Sequence, residues 1–320
     1  MTTSRINHSR GSALLAVLWL SLALSAIAFS VANTVHGETE RVSTAVDGIR
    51  SYYLATGAIE KGILYIQWGK QSPPSDELPY YYPNRPVLRM SFPTGEAEVE
   101  VIPETAKLNI NTATPEDLLR LLLALGTADD RARAIVEAIQ DWRTPSAVTP
   151  FDQYYLSLTP SFRARHASFE EIEELLVLKG MTPDLYYGTF QRDARGQLIR
   201  RGGLNECVSI YGATDRFDIN TAHPALLASL GLTEGQVQAV LERRRTQPFG
   251  PETDFGALGT GGLRIGGNSM FTLRATARLR LPNGQLSDLR RTVAATVKFL
   301  PYGSGTPYQI MRWYDSPSRN

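Results

Sequence analysis

Residues 10–37 read RGSALLAVLWLSLALSAIAFSVANTVHG, and this stretch decides how the rest of the chain is placed. After Arg10 it contains no Asp, Glu, Lys or Arg. About 20 consecutive apolar residues are enough to cross a bilayer as one helix. Arg5 and Arg10 lie on its N-terminal side, and basic residues favour the cytoplasmic side of a membrane. The stretch therefore predicts one membrane-spanning helix over residues 12–35, with a short cytoplasmic tail and the bulk of the chain outside.

Two other interpretations of this stretch stay open on the residues alone. A buried core helix can have a similar composition, although core helices are rarely this long with basic flanks. A cleaved secretory signal also has basic residues before an apolar centre, and Ala26-Ile27-Ala28 resembles a signal cleavage site. In that case the mature chain would begin near Phe29.

The composition of the 320-residue chain excludes several classes of protein. Lys and Arg number 33 and Asp and Glu 32, which gives a formal net charge of +1, whereas nucleic-acid-binding domains are usually strongly basic. The single cysteine, Cys207, excludes an internal disulfide and any site built from several thiolates. The sequence shows no nucleophile–base pair, metal cluster or phosphate-binding loop, so we expect no enzymatic activity.

The helix is predicted to continue beyond the apolar stretch. Apolar residues recur there at a spacing of three to four, which is typical of an amphipathic helix. They are Val42, Val46, Ile49, Tyr53, Ile59, Ile63 and Ile66. A helix over residues 12–68 would be about 85 Å long at about 1.5 Å per residue, with its first half in lipid and its second half under a soluble domain. Residues 71–86, which contain five prolines, are predicted as a loop.

Three segments far apart in the sequence show the alternation of a half-buried strand. Residues 96–101 alternate acidic and apolar side chains, and residues 271–281 alternate apolar side chains with Thr and Arg. Asn283-Gly284 is a strong hairpin signal, and residues 293–299 alternate again on the return. The acidic strand and the Arg-bearing strand could pair, since opposite charges across strands stabilise them, or each could have its own solvated face.

Between these strands the pattern is helical. Thr114-Pro115-Glu116-Asp117 predicts a helix start, with Thr as the N-cap and Pro at the first position. Further helices are predicted over residues 129–142, after a capping box at Ser168-Phe169-Glu170-Glu171, and from Thr182-Pro183. A helical domain is therefore predicted over residues 108–268, inserted into a domain built from strands.

A motif near the start of this helical domain recurs near its end. Leu108-Asn109-Ile110-Asn111-Thr112-Ala113 corresponds to Phe217-Asp218-Ile219-Asn220-Thr221-Ala222. Each copy leads into a Leu-rich helix, a glycine (Gly126 or Gly231) and a second helix. The pattern resembles the helix-hairpin-helix of sequence-independent DNA binders, in which hairpin amides hold a phosphate. Both copies lack the second glycine of that hairpin, although the second copy keeps the basic run Arg243-Arg244-Arg245. A repeated structural hairpin is the main interpretation, and a membrane-anchored DNA-binding module is the alternative.

Arg10-Gly11-Ser12, just before the apolar stretch, resembles the end of a type IV prepilin leader. The resemblance implies that prepilin peptidase removes residues 1–11 by cutting between Gly11 and Ser12, and that Ser12 is then N-methylated. Most pilins carry Glu at the fifth mature position, where this chain has Ala16. A carboxylate in the bilayer costs about 2.5–3.5 kcal/mol, and pilins compensate by pairing it with the N-terminal amine of a neighbouring subunit. Ala16 is therefore what a subunit at a filament tip is expected to carry.

Together these features resemble the type II secretion system protein K family, whose members are large minor pseudopilins. The resemblance rests on the leader, the missing Glu, the split sheet with its helical insertion, and several short motifs. These motifs are Leu108-Asn109-Ile110-Asn111-Thr112, Asp152-Gln153-Tyr154-Tyr155-Leu156-Ser157-Leu158, Leu178-Lys179-Gly180-Met181-Thr182-Pro183 and Asp218-Ile219-Asn220-Thr221-Ala222. The family implies a non-enzymatic tip subunit that initiates or caps the periplasmic pseudopilus, which drives protein export across the outer membrane.

The resemblance also implies partners and a location. The partners would be other minor pseudopilins, contacted through the N-terminal helix, together with prepilin peptidase and the inner membrane. No nucleic acid is expected. The chain would be a single-pass protein of the inner membrane with its bulk in the periplasm.

The implied fold class is α+β. It comprises an N-terminal transmembrane and amphipathic pilin helix, a pilin-like antiparallel sheet, and a large all-α domain inserted between strands. The expected units are residues 1–11 (leader), 12–35 (transmembrane helix), 36–107 (helix, loop and first strands), 108–268 (helical insertion with two repeats) and 269–320 (C-terminal strands).

Structures of this family are associated with bound calcium, and the family usually has several acids after an Asp-Trp pair. Here Asp141-Trp142 is followed by Arg143-Thr144-Pro145-Ser146-Ala147, and Asp152 stands downstream in the expected Tyr-Tyr context. Calcium takes about six to eight oxygen ligands, often several carboxylates. Asp141 and Asp152 are therefore the candidate calcium ligands, but we expect no tight site and no other cofactor.

Overall fold

The computed structural model describes residues 9–73, 75, 77–146, 149–192, 196–301, 303 and 305–315. Most of the predicted leader therefore lies outside the described residues. The helices are α1 (Ser9–Gln71), α2 (Pro115–Ala124), α3 (Asp129–Arg143), α4 (Pro150–Leu156), α5 (Pro183–Tyr187), α6 (Pro224–Ser229) and α7 (Glu234–Thr246). The strands are β1 (Val87–Phe92), β2 (Gly95–Pro103), β3 (Leu108–Asn109), β4 (Thr189–Arg192), β5 (Leu198–Arg201), β6 (Val208–Ser209), β7 (Phe217–Asp218), β8 (Leu263–Arg264), β9 (Met270–Leu279), β10 (Arg291–Phe299) and β11 (Tyr308–Tyr314).

Helix α1 is continuous, as the sequence predicts. Its 63 residues correspond to a length of about 95 Å. The predicted apolar stripe divides into two parts: Ile59, Ile63 and Ile66 are fully buried, whereas Val42 is 61% exposed and Tyr53 is 67% exposed. The prediction that the second half of the helix lies under a soluble domain therefore holds for its last turns and not for the turns around Val42. The physical reason is that burial on α1 begins at Ser51, whereas Val42, Val46 and Ile49 lie before this point and are exposed in the described structure.

In the part of the chain that the structure describes, five strands form one antiparallel sheet, here called the main sheet, in the order β1-β2-β9-β10-β11. Strands β2 and β9 pair side by side, with Glu100 opposite Arg274 and Glu96 opposite Arg278. Arg274 Nη1 lies 3.3 Å from Glu100 Oε2, and Arg280 Nη2 lies 2.8 Å from Glu96 Oε1. The acidic and Arg-bearing strands are thus neighbours, and the alternative of two separately solvated faces is wrong.

The apolar face of the main sheet packs on the last third of α1. The buried strand residues in this core include Val99, Leu273, Ala275, Val293 and Val297. Gly62 of α1 faces the sheet, and a Cβ at this position would lie only 3.0 Å from Leu273 Cδ2. Gly62 therefore lets the helix approach β9 closely, which accounts for a glycine in the middle of a helix.

The inserted domain has its own apolar core, which the helices α2 to α7 surround. Its helices contain more residues than its strands, but it is not all-helical, so this detail of the prediction is wrong. Strands β3 and β6 pair in parallel, β7 and β8 pair in parallel, and β4 and β5 form an antiparallel hairpin. The parallel pairs are only two residues long, so they have no side-chain alternation that a sequence pattern could reveal.

The capping box predicted at Ser168 is also displaced. The turn that follows is a 3₁₀ helix over Ile172–Val177 rather than an α-helix, and Glu171 is the residue that precedes it. Glu174 Oε1 accepts hydrogen bonds from the backbone amides of Glu170 at 2.8 Å and Glu171 at 3.0 Å. These glutamate contacts satisfy the free amides, which is the role that the sequence assigned to Ser168.

The two linkers of the inserted domain, residues 104–107 and 265–269, lie side by side at one end of the main sheet. The first linker contains Glu104, which is 2% exposed and accepts hydrogen bonds from Thr272 Oγ1 at 2.6 Å, from Lys107 Nζ at 3.1 Å and from Ser209. The neighbouring Thr105 Oγ1 donates to the carbonyl of Gly266 in the second linker at 3.1 Å. Glu104 therefore connects the main sheet to the inserted domain through one buried carboxylate.

Candidate functional site

The sequence-predicted processing residues lie at the start of α1. Gly11 and Ser12 are in its first turns, and Ala16 is exposed one turn later. Apolar side chains along the following turns of the helix face outward, with Leu14 69% and Phe29 70% exposed. Among the described residues, α1 is long and apolar enough to cross a membrane, and none of its most apolar window is buried inside the protein. This exposure is contrary to the interpretation of a buried core helix.

The middle of α1, residues 36–53, is a second exposed segment with a different chemistry. Ion pairs run along it, including Arg41 with Glu38 at 3.0 Å and Arg50 with Asp47 at 3.6 Å. The same segment also carries exposed apolar side chains at helical spacing, here called the exposed stripe. It consists of Val42, Val46, Ile49 and Tyr53. A mixed apolar and charged helical face of this kind is suited to a partner helix with apolar side chains at the same spacing.

The repeated motif has the same structural role in both copies. The side chain of Asn111 accepts a hydrogen bond from the amide of Phe169 at 2.7 Å and donates one to the carbonyl of Phe169 at 3.0 Å. Asn220 makes the same two contacts with Phe249, at 2.8 and 2.9 Å. Each Asn therefore clamps the backbone of a distant, buried Phe, and the repeat is explained by folding requirements.

A pair of arginines extends this equivalence. Arg143 near the end of α3 donates to the carbonyl of Ala113 at 2.5 Å and to that of Ile110 at 2.7 Å. Arg244 near the end of α7 donates to the carbonyl of Ala222 at 2.7 Å. In both repeats the second helix thus returns an arginine to the loop before the first helix. Arg244 is a structural residue, and the basic run around it is not a free phosphate-binding surface.

The hairpins between the paired helices are not arranged to hold a phosphate. The amide of Gly126 donates to the carbonyl of Leu123 at 2.8 Å, and the amide of Gly231 donates to the carbonyl of Ala228 at 3.0 Å. Both glycines have positive φ, +77 and +94, which ends the first helix of each pair. Because these amides are already bonded within the hairpin, the geometry gives no support to the DNA-binding alternative.

We expect Arg244→Met to lower the free energy of unfolding by about 2–3 kcal/mol, because it removes a charged donor from buried carbonyls. The matched control is Arg245→Met, since the neighbouring Arg245 side chain is 79% exposed and should tolerate the change without measurable loss. Urea unfolding of the purified chain measures both. Equal effects of the two substitutions would contradict the structural role of Arg244.

The two candidate calcium ligands are brought together, but a histidine lies between them. His166 Nδ1 is 3.1 Å from the carbonyl oxygen of Asp141, and Nε2 is 3.2 Å from both carboxylate oxygens of Asp152. The amide of Thr149 also donates to Asp152 at 2.9 Å, and this contact, followed by His166, holds the pKa of Asp152 below its ordinary value. Burial lowers the pKa of His166, but the Asp141 carbonyl and Asp152 outweigh it and raise that pKa overall.

The donor set at this place does not fit a calcium ion. Among the described residues, no group of three or more His, Cys, Asp or Glu side chains is placed to hold a metal. Asp141 Oδ2 is buried and accepts no hydrogen bond from the described residues, but the carboxylate of Asp152 faces the His166 ring. Calcium binds oxygen, and an imidazole is not one of its usual ligands.

A cleft of about 950 Å³ lies between the polar face of the main sheet and the inserted domain. Charged side chains from its two walls pair across it: Arg312 of β11 contacts Glu173 at 3.0 Å and Glu171 at 3.5 Å. Cys207 is fully buried nearby, and burial raises the pKa of its thiol well above the ordinary value. A neutral, inaccessible thiol is not a nucleophile. The cleft is therefore the interface between the main sheet and the inserted domain, which the ion pairs of Arg312 connect.

Sequence reasoning missed His166 and the roles of Arg143 and Arg244. The arginines could have been found by extending the repeat to the end of its second helix in each copy. His166 carries no local signal, because its partners are 14 and 25 residues away along the chain.

Comparisons with known proteins agree on one family. The family model for type II secretion system protein K matches residues 101–188, which run from the end of β2 to the end of α5. Type II secretion system protein K of Pectobacterium carotovorum subsp. carotovorum is 26% identical over 199 residues. This match spans 56% of the present chain and 61% of the Pectobacterium protein.

A solved structure is similar along most of the chain. It is a chain of the GspK-GspI-GspJ complex from the type 2 secretion system of enterotoxigenic Escherichia coli. The TM-score is 0.53 with 17% sequence identity, and the match covers 87% of the present chain and 100% of that chain. At this identity the similarity concerns the fold, and the predicted α+β fold class is confirmed.

Proposed function

We propose that this chain is a member of the type II secretion system protein K family and a minor pseudopilin, anchored in the inner membrane at the tip of a periplasmic pseudopilus. Helix α1 is the observation that carries the proposal. Its first part is exposed and apolar, its middle part is exposed with an apolar stripe, and its last part is buried under the main sheet. One helix therefore offers an anchor, a partner surface and a scaffold in that order along the chain.

The position of the inserted domain supports a tip role. Leu54, one of the first buried residues of α1, lies against the Gly95 end of β2, which is the end closest to the apolar anchor. The opposite end of the sheet lies beside Lys70, whose Nζ is 4.5 Å from the ring centre of Phe299. The linkers of the inserted domain leave from this far end. A domain placed there, furthest from the membrane, is suited to cap a filament or to begin one.

Ala16 supports the same role. A subunit inside a filament would pair a carboxylate at this position with its neighbour's N-terminal amine, whereas a first subunit has no neighbour on that side. We propose a non-enzymatic role for the whole chain, with the inserted domain as an assembly surface. The solved relative is a complex with GspI and GspJ, and we propose the corresponding minor pseudopilins as partners, contacted through the exposed stripe.

The N-terminal mass of the purified protein tests the anchor and leader. In cells that contain prepilin peptidase, we expect the chain to begin at Ser12 and to carry one added methyl group. A Gly11→Val variant should keep its leader, because a bulky side chain replaces the glycine before the cut. A chain that begins near Phe29 would show signal cleavage and contradict the proposal.

Replacing three members of the exposed stripe by serine (Val42→Ser, Ile49→Ser and Tyr53→Ser) should weaken co-purification with the sibling pseudopilins by more than about tenfold. Each apolar side chain buried in an interface contributes roughly 1–2 kcal/mol, and about 1.4 kcal/mol corresponds to a factor of ten. Thermal unfolding should stay unchanged, since all three are exposed.

The matched control changes charged residues of the same segment, Arg41→Ser with Arg50→Ser, and should retain binding because exposed ion pairs contribute little. Full association of the serine-stripe variant would show that the chain meets its partners through another surface.

A further inference from the structure

The loop between α4 and Phe169 places His166 between α3 and α4. The residue has a φ of +47, a left-handed backbone that is uncommon for a residue with a Cβ. This backbone directs the ring between Asp141 and Asp152. Next to it, the amide of Ala167 donates to the carbonyl of Trp142 at 3.0 Å, and the Trp142 ring stacks on Phe169. Ala167 and Phe169, which follow His166, thereby hold the end of the loop against Trp142 of α3.

Both ring nitrogens of His166 face atoms that can only accept a hydrogen bond. Nδ1 faces the carbonyl oxygen of Asp141, and Nε2 faces the carboxylate of Asp152 at equal distances from its two oxygens. In either tautomer a ring N–H can donate to one of these acceptors, so the imidazole fills the space between the Asp141 carbonyl and the Asp152 carboxylate.

We infer that His166 takes the place that a divalent cation would occupy, so that residues 149–167, which include α4, are held against the end of α3 without calcium. A cation at this position would have to bridge the Asp141 carbonyl and the Asp152 carboxylate, and the imidazole already does so. With the His166 ring between them, Asp141 and Asp152 supply too few oxygen ligands for a calcium ion. The inference concerns the inserted domain alone and does not depend on the proposed function.

Amide hydrogen exchange of the full chain in detergent tests the inference. The peptides to follow cover residues 149–169, and those from β9 and β10 report whether the rest of the protein is folded. We expect the wild-type loop to exchange at the same rate in EDTA and in about 1 mM CaCl₂, a range in which extracellular calcium modules bind. Protection that rises about tenfold or more on adding calcium would overturn the inference.

Two substitutions make the test specific. His166→Ala should speed exchange of the loop by about tenfold or more, with or without calcium, because it removes the bridge. His166→Asp should lose the same protection in EDTA and regain it in CaCl₂ but not in MgCl₂, because a third carboxylate would complete an oxygen site and Mg²⁺ sheds its water reluctantly. Asp also tolerates the left-handed backbone at this position.

The matched control is Ser161→Asp, which adds the same charge at an exposed position of the same loop and should respond to neither ion. If His166→Asp shows no calcium response while β9 and β10 remain protected, His166 does not stand at a cation position and the inference fails. A calcium response in the Ser161→Asp control would overturn it equally, because any added carboxylate would then suffice.

Discussion

An aspartate in place of Ile63 should detach α1 from the main sheet and lower the free energy of unfolding by at least about 4 kcal/mol. Ile63 is fully buried in the core that α1 forms with β2, β9 and β10. The substitution removes a large apolar side chain from a close-packed interior and puts a carboxylate there without a partner. Urea unfolding of the full chain measures the loss, and hydrogen exchange of β9 and β10 shows where it occurs.

The neighbouring Leu64 provides the control for this prediction. Its side chain is 41% exposed on the other side of the helix, so Leu64→Asp should cost far less and leave β9 and β10 protected. If the two variants lost stability equally, the rotation of α1 under the sheet would differ from the one described.

Glu104→Gln should lower the free energy of unfolding by about 2–4 kcal/mol, because Glu104 is the buried acceptor between the main sheet and the inserted domain. The amide keeps the shape of the side chain but not its charge, which leaves Lys107 without a carboxylate and Ser209 and Thr272 with a weaker acceptor. Glu98→Gln is the control, since Glu98 is a partly exposed residue of the same sheet that contacts Arg89 at 3.4 Å. Equal losses in the two variants would contradict a special role for Glu104.

The difference in unfolding free energy between wild type and Glu104→Gln should also depend on pH. Burial by itself raises the pKa of Glu104, but Lys107, Ser209 and Thr272 outweigh it and hold the pKa below its ordinary value of 4.5. The folded protein thus binds this proton more weakly than the unfolded chain, so the carboxylate contributes stability above the ordinary pKa. The contribution is lost as the pH falls through the lowered pKa. The gap between wild type and Glu104→Gln should therefore be full near neutral pH and shrink in acid; a gap independent of pH would contradict the assignment.

The elements that were predicted correctly are those in which apolar residues recur at regular spacing over a long stretch of sequence. Helix α1, β2 and β9 are recognisable because their apolar residues recur at helix or strand spacing, and β10 because Val293, Ala295, Val297 and Phe299 alternate after the Asn283-Gly284 turn. Strands β1 and β11 were missed for opposite reasons. In β1 only Leu88 and Met90 are buried, and the strand is short and follows a proline-rich loop. In β11 no residue is buried, since it is an edge strand whose pairing with β10 shifts register between Thr296 and Val297.

The inserted domain shows where prediction from sequence ends. The repeated Asn is visible in the sequence, but its partner Phe lies 58 residues away in one copy and 29 in the other. No fixed spacing could have paired Asn111 with Phe169 and Asn220 with Phe249. His166 is a similar case, because its position between two aspartates depends on how the loop returns to α3. Contacts of this kind follow from tertiary packing and not from local periodicity.

Pro103 at the end of β2 lies opposite Phe271 in β9, so the insertion leaves and rejoins the main sheet at adjacent positions. Residues 104–269 therefore stand where an ordinary two-strand hairpin would have a short turn. The entropy of closing a loop grows only with the logarithm of its length, and a loop that folds on its own core costs its host still less. The main sheet and the inserted domain can consequently change at different rates over evolution. Helix α1 and the strands of the main sheet keep one packing arrangement. The surface of the inserted domain can change without disturbing that packing.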